Sequence, residues 1–141
     1  MYTLFFDGAS RQNPGPSSCG GVIYDSSGDE LTTYSKYIGT TTNNIAEYNA
    51  LLIGVQRCKA LNIKNVKVFG DSNLVIKQIN GEWRVKNPGL RPLHKQIKEI
   101  EPFFTKISYE HVYRKYNKRA DELANEALDD ALITQWGYLK N

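Results

Sequence analysis

The sequence predicts an α/β fold in which helices cover a five-stranded mixed sheet. Three observations lead to this prediction. Short apolar and β-branched runs occupy the first part of the chain, apolar residues adopt helical spacing from Asn43 onward, and strand-like and helical segments then alternate. This alternation implies a βαβ crossover between parallel strands.

The first three strand candidates form one unit. The segment at 2–6 reads as a buried strand that ends in the turn Asp7-Gly8, and a loop rich in glycine, proline and serine follows it. The segments at 21–25 and 31–38 flank a polar turn, which is typical of a hairpin. These three strands are expected to be antiparallel neighbours, with the two later strands parallel to the first.

The remaining elements are predicted from a change in the spacing of apolar residues along the chain. A long helix is predicted from Asn43 to about Leu61, with Thr42 or Asn43 as its N-cap. The later segments are predicted as a strand at 65–70, a helix from 71–73 to 79, a poorly defined segment at 81–93, a helix at 93–104, a strand at 107–113 and a last helix at 118–132.

Length and composition bound the possible classes. With 141 residues, 40% of them hydrophobic, the chain is expected to form one domain over residues 1–141, with a C-terminal tail from about 131 to 141. Neither a long apolar run nor a charged leader is present, so we expect an intracellular, cytoplasmic protein. We also expect a monomer. Cys19 and Cys58 lack a metal-binding or disulfide pattern. The net charge of +3 permits a polyanionic partner without requiring one.

Four acidic residues are hard to explain by structure alone. Asp7 and Asp71 each follow a predicted strand, and the carboxyl ends of parallel strands meet at one edge of a sheet. Glu47 shares a helix face with apolar residues, which places a carboxylate toward the interior. Asp121 shares a face of the last helix with Ala124 and other small or apolar residues.

Each acid also has an ordinary interpretation. Asp7 suits a turn, Asp71 suits a helix N-cap, and Glu47 and Asp121 suit first-turn positions that favour acids. One shared site explains all four more economically than four separate roles. Such a cluster suits two hard divalent cations, which catalyse in-line displacement at phosphorus. The pattern therefore indicates phosphodiester hydrolysis.

Four motifs spread over nearly the whole chain carry a resemblance to a known family. They are FFDGASRQNPGP, TTNNIAEYNAL, FGDSNLVIKQI and NKRADELAN, in that order and at suitable distances. Together they resemble type 1 ribonuclease H, in a short form without the basic protrusion and with an archaeal-like or plant-like C-terminal loop. Any one motif alone would be weak evidence.

The resemblance implies a ribonuclease H-like fold with strand order 3-2-1-4-5, strand 2 antiparallel and helices on both faces. It implies an endonuclease that cuts the RNA strand of RNA/DNA hybrids and leaves 3′-hydroxyl and 5′-phosphate ends. It also implies two Mg²⁺ ions, replaceable by Mn²⁺, that are bound by Asp7, Glu47, Asp71 and Asp121. Substrate contacts fall on Asn13, Asn43, Asn44, Asn73 and Arg114, although turn or cap roles for the asparagines and a solvated loop for Arg114 remain open.

Two departures from the family pattern are visible. His111 has the spacing of a histidine that some members carry in a flexible loop, but it lies in a strand pattern and is expected to line the sheet. The segment at 81–93 is too short for the basic protrusion. Arg84, Lys86 and Arg91 are left to contact the nucleic-acid backbone, and Trp83 is expected to pack. We therefore expect weaker substrate binding with marked salt dependence.

Two other functions are compatible with the same fold. A non-catalytic nucleic-acid-binding module would be expected to have lost at least one of the four acids, and none is lost here. A nuclease acting on duplex DNA or on junctions would have less use for asparagines near the 2′-hydroxyl groups of RNA.

Overall fold

The computed structural model describes the backbone of residues 1–140 and the side chains of residues 1–134. Within that range the chain forms one mixed sheet of five strands in the order β3-β2-β1-β4-β5. The strands are β1 (Tyr2–Ser10), β2 (Gly15–Tyr24), β3 (Glu30–Thr41), β4 (Asn65–Gly70) and β5 (Lys106–His111). β2 is antiparallel to β1 and β3, while β4 is parallel to β1 and β5, which confirms the predicted topology.

The helices cover both faces of this sheet. They are α1 (Asn43–Ala60), α2 (Asn73–Ile79), α3 (Arg91–Ile100) and α4 (Lys118–Lys140). α1 packs on β1 and β2 from one face, where the main core contains Leu4, Phe6, Leu51 and Val55. α4 packs on β1, β2 and β3 from the other face and buries Ala120, Leu123, Ala124 and Leu128.

Close packing of both helices depends on glycines in the strands. A Cβ at Gly8 would collide with the backbone of Ala46 and Glu47 in α1. A Cβ at Gly20 would collide with the backbone of Ala124 in α4. Gly8 follows Asp7 in β1, and Gly20 pairs with Asp7 from β2. The two helices therefore make their closest contacts with the sheet near Asp7, on opposite faces.

The observed boundaries correct several predictions. β1 continues to Ser10, so the prediction that Asp7 forms a turn after the strand was wrong. The predicted loop is largely strand, because Ser17 to Gly20 pair with the extension of β1, while Gly15 and Pro16 pair with β3. The third helix occupies 91–100 and is followed by a 3₁₀ turn, Glu101–Phe103, in place of the predicted 93–104. β5 ends at His111 and not at 113.

The C-terminal helix is longer than predicted. α4 extends to Lys140 and so includes most of the segment expected to be a tail, while Asn141 lies outside the described residues. Across residues 1–140, no helix is both long enough and apolar enough to cross a bilayer.

Candidate active site

Three of the four predicted acids meet at the carboxyl edge of the central strands. β1 and β4 are parallel neighbours with Phe6 opposite Gly70, so the next residues, Asp7 and Asp71, lie side by side. Glu47 reaches the same point from α1. One carboxylate oxygen of each acid lies within 4.8 Å of the other two.

The structure rules out the ordinary interpretation of two of these acids. Ser72, and not Asp71, is the N-cap of α2, because its hydroxyl accepts a hydrogen bond from the Val75 amide at 3.3 Å. Glu47 lies beyond the first turn of α1, whose N-cap is Thr42. Neither residue is needed to start a helix, which leaves the shared cluster as the reason for its placement.

Asp121 occupies the mouth of the same cleft. It lies in the first turn of α4, and 32% of its side chain is exposed. Its Oδ1 accepts a hydrogen bond from Asn125 Nδ2 at 3.1 Å and lies 3.7 Å from the Arg114 guanidinium. The cleft has a volume of about 380 Å³, and all four acids line it.

Burial raises the pKa values of the two most buried acids, Asp7 and Glu47. Glu47 is 3% exposed, and among the described residues its Oε2 has no hydrogen-bond partner. Burial, followed by the charge of Asp7, raises the pKa of Glu47 well above its ordinary value. Burial is also the main cause that raises the pKa of Asp7 to about 8, with the charge of Asp71 adding to it. Asp7 and Glu47 therefore hold their protons more tightly than ordinary carboxyl groups do.

These properties fit a hard divalent cation. Carboxylate oxygens are the ligands that Mg²⁺ and Mn²⁺ prefer, and a cation would offset the mutual repulsion of the acids. The buried Oε2 of Glu47 would gain the partner that it lacks among residues 1–134. The chemistry of the donor set and the unpartnered oxygen thus both favour a metal at this position.

Comparisons with known proteins agree with this geometry. A family model described as "Reverse transcriptase-like" matches residues 5–127. The chain is 42% identical over 127 residues to a ribonuclease HI of Halobacterium salinarum, covering 90% of this chain and 64% of that protein. The crystal structure of RNase H1 from this organism superposes with a TM-score of 0.89 and 41% identity, covering 92% of this chain and 98% of that one.

The chain belongs to the type 1 ribonuclease H family. A further relative, LC11-RNase H1 isolated from compost, was crystallised in complex with an RNA/DNA hybrid. It superposes with a TM-score of 0.89 and 39% identity, covering 94% of this chain and 99% of that one. Ribonucleases H depend on divalent metals, in agreement with the cluster of acids.

This ribonuclease H chain spans only part of some relatives. It covers 64% of the Halobacterium protein and 35% of a bifunctional protein from Mycobacterium tuberculosis, to which it is 41% identical over 126 residues. The family model, which matches residues 5–127, includes all four acids.

Of the other predicted site residues, some line the cleft and some lie outside it. Asn43 and Arg114 line it, and Asn13 is linked to Asn43, whose backbone amide donates to Asn13 Oδ1 at 2.8 Å. Asn44 and Asn73 are exposed at the starts of α1 and α2 and do not line the cleft.

Residues for which other roles were expected do not line the cleft that contains the acids. His111 is exposed at the end of β5, with its ring packed edge-on against Tyr113. Trp83 is 45% exposed, so the expected packing is only partial. It lines a separate cleft of about 570 Å³ together with Arg84 and Arg91, whereas Lys86 is exposed outside that cleft.

Sequence reasoning did not identify three residues that contact the site. Arg11 lines the cleft, and its guanidinium forms an ion pair with Asp129 of α4. Asn125 lines the cleft and bonds to Asp121, four residues earlier, a helical spacing that could have revealed it. Asn117 donates to Asp71 across 46 residues, and spacing gives no signal for such a contact.

Proposed function

We propose that this chain is an endoribonuclease that hydrolyses the RNA strand of RNA/DNA hybrids and leaves 3′-hydroxyl and 5′-phosphate ends. The observation that carries the proposal is the convergence of Asp7, Glu47 and Asp71, whose oxygens lie within 4.8 Å of one another, with Asp121 in the same cleft. The resemblance to an RNase H1 crystallised with a hybrid supports this choice of substrate.

The four acids are proposed to bind two Mg²⁺ ions, with Mn²⁺ as a substitute. When bound, such ions supply Lewis-acid polarisation of the phosphate and favour ionisation of a nucleophilic water. Glu47 and Asp7 contribute charge that burial has made costly, so exchange of their protons for a cation is favourable. Asp121 is more exposed and provides a carboxylate on the substrate side of the cluster.

Arg114 and the asparagines are proposed to contact the substrate. The Arg114 side chain is 81% exposed at the rim of the cleft, and its long pairing with Asp121 can be exchanged for a phosphate at little cost. Asn43 lines the cleft, with Asn13 bonded to its backbone, which suits donation to 2′-hydroxyl groups in a shallow minor groove. Asn44 and Asn73 are exposed at the starts of α1 and α2, and we propose that they contact the hybrid outside the cleft.

We also propose that residues 1–141 act as one domain, as a monomer and in the cytoplasm. The continuous sheet supports a single unit over residues 1–140. Gel filtration with light scattering would test the oligomeric state.

Substrate choice provides the test of the proposed function. With Mg²⁺, we expect cleavage of the RNA strand in a hybrid and intact RNA and DNA duplexes. Asn43→Ala is expected to raise KM for the hybrid about fivefold, which corresponds to one lost hydrogen bond of roughly 1 kcal/mol, with kcat little changed. Asn65→Ala removes an exposed asparagine at the amino end of β4, on the opposite edge of the sheet, and serves as the matched control.

Each alternative function gives a different result in this assay. Tight hybrid binding without cleavage in Mg²⁺ or Mn²⁺ would indicate a binding module. Cleavage of the DNA duplex at a rate comparable to that of the hybrid would indicate a DNA nuclease.

A further inference from the structure

Asn117 is a buried side chain that contacts several segments of the site at once. It is 1% exposed and lies between β5 and α4, directly after the 3₁₀ turn Arg114–Tyr116. Its side-chain Nδ2 donates to the Phe6 carbonyl and to Asp71 Oδ2, both at 2.9 Å. Its backbone carbonyl accepts from the Asp121 amide at 3.1 Å.

The chemistry of these partners determines the orientation of the amide. A backbone carbonyl can only accept, so the nitrogen of Asn117 must face Phe6. The two hydrogens of that nitrogen match the two acceptors on β1 and at the end of β4. Phe6 directly precedes Asp7, and Asp121 is one turn after Asn117, so one residue connects three of the four segments that carry acids.

A role in stability alone does not explain the whole arrangement. Asn117 Oδ1 is buried and has no hydrogen-bond partner among the described residues, a cost that a purely structural residue would be expected to avoid. The two hydrogen bonds that the side chain donates go to the Phe6 carbonyl in β1 and to the Asp71 carboxylate of the cluster. With Oδ2 held, the Asp71 carboxylate cannot rotate freely, so its other oxygen is positioned as well.

We propose that Asn117 is a positioning residue that orients the Asp71 carboxylate toward the divalent cation and keeps β1, Asp71 and the start of α4 in register. The role rests on the proposed function only for its catalytic consequence, because cation binding can be measured without substrate. Removal of a partner that orients a metal ligand typically costs about 10- to 100-fold in metal affinity or activity.

The first readout is cation binding by the free protein. Mg²⁺ is titrated into ¹⁵N-labelled wild type and Asn117→Ala, and the dissociation constant is obtained from backbone amide shifts. We expect at least about a tenfold weaker Mg²⁺ affinity in Asn117→Ala. Asn117→Ser retains one hydroxyl donor and is expected to be intermediate, and it provides the measurement if the alanine variant does not fold.

The second readout separates orientation from stability. Ser18→Ala is the matched control, because Ser18 is buried and its hydroxyl donates to the Ala124 carbonyl of α4 without contacting an acid. It is expected to lower Tm while leaving Mg²⁺ affinity at the wild-type value. In hybrid cleavage, Asn117→Ala is expected to lower kcat about 10- to 100-fold and to change KM less than twofold.

Wild-type Mg²⁺ affinity in both Asn117 variants would overturn the proposal, even if their Tm fell as in Ser18→Ala. Loss of Mg²⁺ affinity in a chain whose wild type cuts no hybrid would uphold the role of Asn117 and reject the proposed nuclease function. The two proposals therefore fail separately.

Discussion

Glu47→Gln is expected to reduce RNA cleavage by about a thousandfold, equivalent to roughly 4 kcal/mol of lost transition-state stabilisation. The substitution keeps the volume of the side chain but removes the charge that the cation requires. Because burial disfavours the charged form of Glu47, the metal-free protein can fold near pH 8 only if this carboxylate takes up a proton or is buried with its charge. The neutral amide avoids both costs and should therefore also stabilise the metal-free protein. We expect a gain of about 1 to 3 kcal/mol near pH 8.

Single-turnover cleavage and urea unfolding in EDTA measure these two effects. Glu126→Gln is the matched control, since Glu126 is exposed on α4 and does not line the cleft. It should change neither quantity. Opposite changes in activity and stability would identify Glu47 as a residue kept for function, whereas wild-type cleavage by Glu47→Gln would reject its role.

The metal-free protein is expected to lose stability as pH rises from about 4 to about 8. The pKa of Asp7 is raised in the folded state from an ordinary value of 3.8 to about 8, mainly by burial, and that of Glu47 is raised as well. In this interval the folded state binds more protons than the unfolded state, so the free energy of unfolding falls as pH increases. Above about pH 8, Asp7 adds no further dependence.

A divalent cation should reverse this trend, because it competes with the protons for the same oxygens. The increase in Tm on adding excess Mg²⁺ is therefore expected to be larger at pH 8 than at pH 5. The contribution of other titrating groups to the pH dependence is removed by subtracting the stability profile of Asp7→Asn. A difference between wild type and Asp7→Asn that stays constant across this pH interval would contradict the raised pKa of Asp7.

The topology and the inward position of Glu47 could be predicted from local patterns. Glu47 repeats at helical spacing with Leu51 and Val55, and the structure buries all three. Asp71 was ambiguous because Asp71 and Ser72 are both good N-cap residues and stand next to each other. Only the folded helix shows that Ser72 provides the cap.

Contacts between distant segments were beyond the reach of sequence patterns. Asp7 lies inside a strand because residues up to Ser10 pair with β2. The glycine, proline and serine residues at the start of β2 have low strand propensity, so the sequence did not indicate this pairing. The bonds from Asn117 to Phe6 and Asp71 span 111 and 46 residues and follow from packing alone. The pairing of Arg11 with Asp129 is equally remote in sequence.

Cleavage of an end-labelled RNA/DNA hybrid by wild type and Asp71→Asn, each with Mg²⁺ or EDTA, tests the central claim most directly. The central claim is that the acids at the edge of the sheet form a metal-dependent centre that cuts RNA. We expect wild type to cut the RNA strand only with Mg²⁺ and Asp71→Asn to be inactive while still folded. Cleavage that persists in EDTA, or at an unchanged rate in Asp71→Asn, would contradict the account.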